Sequence, residues 1–119
     1  MGLAASQARF LQLTARQSDL EFQGQQVNQQ RMNNSYAMQA LSTSIETQLQ
    51  SDAANNINPQ TDPTYLADNA TLTSDQAIDS QFEQQLKNID TLHTEVQTEI
   101  DSVKKVIDKN IDQTFKTFA

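Results

Sequence analysis

Ile-Asp recurs four times at an 11-residue interval in the second half of the chain, at Ile78-Asp79, Ile89-Asp90, Ile100-Asp101 and Ile111-Asp112. Eleven residues take three helical turns at about 3.67 residues each, so the repeat predicts one long helix with the isoleucines on a single seam. The same offset relates Val96, Ile107 and Phe118, relates Leu92 to Val103, and relates Phe82 to His93, Lys104 and Phe115 at the seam's margin. A stripe of this length constrains architecture strongly and chemistry hardly at all.

Composition agrees with long polar helices. With 119 residues, 36% apolar side chains and no Trp, the chain has material for one small domain and a thin core. Gly and Pro occur twice each, too few for a sheet protein with many turns. The formal charge of -7 excludes a general nucleic-acid surface, which needs basic residues to displace counterions. No Cys is present, which removes disulfide frameworks, zinc ribbons and thiol chemistry but leaves the compartment open. No apolar run approaches a membrane span, and the N-terminal residues lack the pattern of a cleaved signal peptide. Localisation is therefore unknown: cytoplasmic, or exported without such a peptide. Gly2 and Ser6 satisfy the myristoylation pattern, with no polybasic second signal beside it.

Three segments follow from the pattern. Residues 3–51 contain no Pro and carry Phe10, Leu13, Leu20, Val27, Met38, Leu41, Ile45 and Leu49 at helical spacing, which predicts a first helix. Gly24 weakens it, and Asn33-Asn34-Ser35 offers a fresh N-cap and hence a kink near 33–35. Residues 52–73 hold both prolines and many turn formers, and are expected to be an irregular connector pinned by Ile57, Tyr65, Leu66 and Leu72. Thr73-Ser74-Asp75-Gln76 reads as a capping box, which starts a second helix over 74–118.

Two long helices with such a connector predict an all-α, elongated antiparallel hairpin, coiled-coil-like with partly 11-residue periodicity, as a single domain over 1–119. The predicted interface is Ile78, Phe82, Ile89, Leu92, Val96, Ile100, Val103, Ile107, Ile111, Phe115 and Phe118 on the second helix, and Leu13, Leu20, Val27, Met38, Leu41, Ile45 and Leu49 on the first. One thin seam buries little apolar area for the residues it orders, so completion by a homo-oligomer or a protein partner is expected. Charge is uneven as well. Residues 1–50 carry three acids and three Arg, whereas residues 51–119 carry twelve acids and five Lys.

Chemistry-bearing motifs are sparse. Asp90 and His93 share a helix face, but a di-iron bundle needs two such pairs and further Glu ligands, so no metal or cofactor is expected. With a hairpin midpoint near Asp62, His93 is predicted to face the neighbourhood of Met32. Phosphate loops, nucleophile elbows and dinucleotide fingerprints are absent, and catalysis is not expected. The Gln-rich stretch from Gln23 to Gln30 reads as a polar seam or as an exposed helix face.

The opening Met1 to Arg16 with Asp19-Leu20-Glu21-Phe22, together with Leu86 to Asp90 and Ile100 to Ile111, resembles a group of short helical proteins from bacteria. That resemblance implies a two-helix build and transfers no functional residue. More loosely, long terminal helices around a variable middle look like the plan of flagellar axial proteins and secretion-needle subunits, which polymerise through paired helices. Small secreted hairpins with a Trp-x-Gly turn are similar in size, but this chain has no Trp. The expected function is non-enzymatic assembly or interaction through helix packing, of a flagellar or secretion-filament type. The alternative is a helical export chaperone or regulatory module that accepts a partner helix.

Overall fold

The structure is a computed structural model that describes residues 2–118, with side chains described as far as Lys116. Two helices account for nearly all of it: α1 spans Leu3–Ala54 and α2 spans Pro63–Phe118, with a short 3-10 helix over Pro59–Thr61 between them. They form an antiparallel helical hairpin.

The connector is much shorter than 52–73. Chain reversal needs only residues 55–62, because strong local signals stop one helix and start the next. Asn56 takes the left-handed backbone conformation (φ 57°). Its N–H donates to the Ala53 carbonyl at 3.4 Å and the Ile57 N–H donates to the Asp52 carbonyl at 2.8 Å, the paired bonds that close a helix C-terminus. Asn58 then caps the 3-10 helix by accepting from the Gln60 N–H at 3.0 Å. Asp62 caps α2 by accepting from the Thr64 N–H at 3.0 Å, with Pro63 in the first helical position, where no donor is needed.

The Thr73 start is therefore overturned. Thr73 lies inside α2, where its hydroxyl donates to the Asn69 carbonyl at 3.0 Å. The upstream start wins because it extends α2 by residues that half-bury Tyr65 and Leu72, while Ile57 and Leu66 stay exposed. No break occurs near 33–35. Helix α1 is continuous there, and Asn34 donates across to the Asp75 carbonyl at 2.9 Å instead of capping its own helix.

The chain divides into two compact units, one of Met1–Gln26 with Lys87–Ala119 and one of Val27–Leu86. In the first, here the terminal unit, Leu13, Leu20, Val96, Ile100 and Val103 are buried, and Phe10, Ile89 and Ile107 pack against them. Inward residues of α1 are Leu3, Ser6, Phe10, Leu13, Gln17, Leu20 and Gly24; those of α2 include Ile89, His93, Val96, Ile100, Val103, Ile107 and Asn110. Each series advances by alternating steps of three and four, a seven-residue period rather than an eleven-residue one.

The second, or turn, unit keeps that spacing with a different filling. Its inward positions run Val27, Arg31, Asn34, Met38, Leu41, Ile45, Gln48 and Asp52 on α1, against Tyr65, Asp68, Leu72, Asp75, Asp79, Phe82 and Leu86 on α2. Apolar and polar side chains share the seam, and among the described residues the buried apolar ones all belong to the terminal unit.

The seven-residue frame corrects the isoleucine seam. In a frame of 3.5 residues per turn an 11-residue step advances by about 50°, so the repeat sweeps across the packed face instead of following it. Ile100 falls at its centre and is 3% exposed, Ile78 and Ile89 are half-buried, and Ile111 is 46% exposed.

Candidate interaction surface

A hairpin of this kind offers three kinds of surface: its seam, the polar side chains along the seam's edges, and the outer faces of the helices. In the terminal unit the seam is filled by the chain itself. Of the predicted interface residues, Leu13, Leu20, Val96, Ile100 and Val103 make that core, and Ile89 and Ile107 are half-buried beside it. Leu92 lies at the edge, Ile111 and Phe115 are exposed, the latter by 77%, and the side chain of Phe118 lies outside the described residues. In the turn unit Val27, Met38, Leu41, Ile45, Ile78 and Phe82 are half-buried, and Leu49 is exposed on the flank of α1.

Polar side chains hold the register in each unit. Within the terminal unit Arg9 Nη2 lies 2.7 Å from Glu99 Oε2, Gln17 donates to Gln97, and Lys104 sits 5.8 Å above the Phe10 ring centroid. His93 Nε2 lies 3.0 Å from Glu21 Oε1. The Met32 expectation is thus corrected: the chain reverses at residues 55–62, several residues before the midpoint assumed, which shifts the partner of His93 along α1. Among the described residues no group of three or more His, Asp or Glu side chains could hold a metal ion.

In the turn unit Arg31 donates twice to Asp79, at 2.8 and 3.3 Å, and this hydrogen bonding holds the guanidinium proton more tightly than usual. Asp79 is the one aspartate of the Ile-Asp repeat that reaches across to α1 in a described ion pair. Nearer the reversal, Gln48 Nε2 donates to Asp52 at 3.0 Å and to Asp62 at 2.6 Å. Burial pushes the Asp52 carboxyl above its ordinary range, aided by its hydrogen bond to Asp62; that same bond holds Asp62 below its range. Asp52 and Asp62 are both buried; reading Asp62 as a turn former marks the reversal but not this buried carboxylate pair.

Among the described residues, open grooves flank the seam in each unit. One, of about 450 Å³ in the terminal unit, is lined by Arg9, Arg16, Leu92, Glu95 and Glu99 with neighbouring seam residues. Another, of about 680 Å³ in the turn unit, is lined by Asn28, Arg31, Met32, Ser35, Met38 and Asp79. Both are shallow troughs along paired helices, suited to contact with another elongated surface.

The outer face of α1 in the terminal unit is the least expected feature. Leu11 is 68% exposed and Phe22 57%, on the side of α1 away from the seam. They are 11 residues apart, about 50° from each other in the frame of 3.5 residues per turn, and so occupy two neighbouring outer positions of one face. Ala4, Ala8, Ala15 and Ser18, all exposed, complete the same stripe. Reading apolar residues at the spacing of one stripe passes over Leu11 and Phe22, because they belong to a second stripe with the same seven-residue period. The sequence signal was available: once Phe10, Leu13, Gln17 and Leu20 are seam positions, these six fall on two outer positions of the repeat.

Compared with protein-family models, with curated proteins and with solved structures, the chain matches none.

Proposed function

We propose that the protein is a non-enzymatic interaction module that meets its partner through the outer face of α1. One observation carries this reading: Leu11 and Phe22 are large, apolar and exposed on a face the hairpin core does not use. Exposed apolar residues scattered singly are ordinary, but a stripe continued by Ala4, Ala8, Ala15 and Ser18 without a charged side chain is the composition of a contact surface. The contrast with α2 supports it, since that helix carries ten carboxylates and five Lys over Pro63–Phe118. Charges strewn over a surface keep it hydrated, and their scarcity marks the surface that can be dried by a partner.

Assembly of this chain into a larger helical structure is the form of interaction we favour. Binding of an unrelated partner helix, as by an export chaperone or regulatory module, is the second form. The groove beside Leu92 favours it, because a rim of mixed charge, Arg9 and Arg16 with Glu95 and Glu99, around an exposed leucine suits an amphipathic helix with charges of both signs on its flanks.

Light scattering across a concentration series, alone and after mixing with extract of the native cells, tests the proposal. The expected result is a particle heavier than the monomer in at least one condition, abolished by Leu11→Gln with Phe22→Gln while the melting transition stays in place. A protein that remains monomeric in every condition overturns the reading, as does a complex indifferent to both substitutions.

A further inference from the structure

We infer that the outer face of α1 docks against the same face of a second copy, antiparallel, with a two-fold axis at the level of Leu13. The inference rests on the interaction reading above and names its partner.

Size is the first argument. The stripe runs Ala4, Ala8, Leu11, Ala15, Ser18, Phe22, and steps alternately by four and three residues, as a packing seam does. A symmetric contact must be self-complementary, each residue meeting its counterpart across the axis. Antiparallel and centred on Leu13, Phe22 meets Ala4, Leu11 meets Ala15, and Ala8 meets Ser18. Both large side chains face alanines, and the remaining pair is small on small. A parallel, in-register pair sets Phe22 on Phe22 and Leu11 on Leu11, with alanine against alanine or serine against serine elsewhere, which overfills two levels and leaves voids at the rest. Close packing favours the first arrangement.

Charge is the second argument, and it is independent. The chain carries a net charge of -7, so two copies meet most easily where carboxylates are scarce. Along this face the exposed charges are Asp19 and Glu21, near its C-terminal end. Glu21 lies 3.0 Å from His93, and Asp19 accepts from Gln23 at 2.9 Å. A parallel pair gathers all four carboxylates at one end of the contact. The antiparallel pair sets Glu21 beside Gln7, a donor, and Asp19 beside Ala5. The stripe spans 18 residue steps, about 27 Å of helix, a small contact area that places self-association in the micromolar range or weaker.

The chain has no Cys, so single introduced thiols report the alignment cleanly. Thr14 sits beside the axis and Gln7 far from it. Under oxidation at high micromolar concentration, Thr14→Cys is expected to give a disulfide-linked dimer. Gln7→Cys is expected to cross-link with Glu21→Cys and not with itself. Phe22→Ala is expected to weaken dimerisation about tenfold, and adding Ala4→Phe to restore it, because the large and small partners are merely exchanged. Cross-linking of Gln7→Cys with itself overturns the antiparallel alignment. A wild-type chain that stays monomeric to millimolar concentration overturns self-docking; if it still binds another protein through Leu11 and Phe22, the interaction reading survives.

Discussion

Gln48 donates to Asp52 at 3.0 Å and to Asp62 at 2.6 Å, so one amide joins the last turn of α1 to the residue that caps α2. The two aspartates are unlike. Asp52 is held above the ordinary carboxylate range, chiefly by burial, and Asp62 below it, chiefly by its hydrogen bond with Asp52. The pair is best served by a single proton, carried by Asp52.

A raised folded pKa stabilises the fold fully below the unfolded value and loses that contribution as pH rises through the folded one, which is the case of Asp52. A lowered one stabilises above the unfolded value and is lost as pH falls through the folded one, which is the case of Asp62. The pair therefore contributes most in the acid window around the ordinary carboxylate value and less at neutral pH. Asp52→Asn carries a permanent donor in place of the proton. It is expected to melt higher than wild type at pH 7 and to lose the difference near pH 4, measured by circular dichroism at matched ionic strength. Parallel melting curves at both pH values would remove the proton-sharing account.

Gly24 occupies a seam position, and a Cβ built there would meet Ile89 Cγ2 at 3.7 Å, ordinary contact distance. Nothing about the backbone requires glycine, since no positive φ occurs at this position. Gly24→Ala is expected to stabilise the hairpin by about 0.5–1 kcal/mol through reduced unfolded-state freedom and added contact. Chemical denaturation checks this, and a loss of stability would mean that the two helices approach more closely at this level.

Ile100 and Ile111 belong to one repeat yet differ in burial, 3% against 46% exposed. Ile100→Asp is expected to cost on the order of 4 kcal/mol or to unfold the chain, because an ionised group cannot be hydrated in the seam. Ile111→Asp is expected to change stability by no more than about 0.5 kcal/mol. Equal losses from both would return the seam to the 11-residue period.

Ser6 is buried on the seam, and its hydroxyl has no hydrogen-bond partner among the described residues. Ser6→Ala removes a dehydrated polar group and supplies a better helix former. A gain of about 1 kcal/mol is expected in the same denaturation assay. A loss would point to a partner for that hydroxyl in solution, such as an ordered water.

Hydrogen exchange separates the two units. Residues 27–86 pack a seam interrupted by Arg31, Asn34, Asp75 and Asp79, while the buried apolar side chains belong to the terminal unit. Amides of the turn unit are expected to exchange faster than those of residues 10–20 and 96–103, since opening it exposes less apolar surface. Uniform protection would show that the polar bonds hold the turn unit as firmly as the core.

The amino-acid sequence by itself determined the class of structure. Apolar residues at helical spacing, scarce Gly and Pro, and turn formers in the middle leave little but two helices joined by a reversal, and Leu13, Leu20, Val96, Ile100 and Val103 were legible as packed residues. Tertiary structure decided the period, the register and the ends. The Ile-Asp repeat suggested 11 residues, but burial follows seven, because polar residues such as Gln17, Arg31 and Asn34 fill seam positions that a reading of apolar residues skips. Two helix starts competed locally, Asp62-Pro63 and Thr73, and neighbouring α1 chose between them by rewarding the longer α2. The outer stripe of Leu11 and Phe22 became visible only once the inner one was fixed, since a helix face can be called outward only after its inward face has met something.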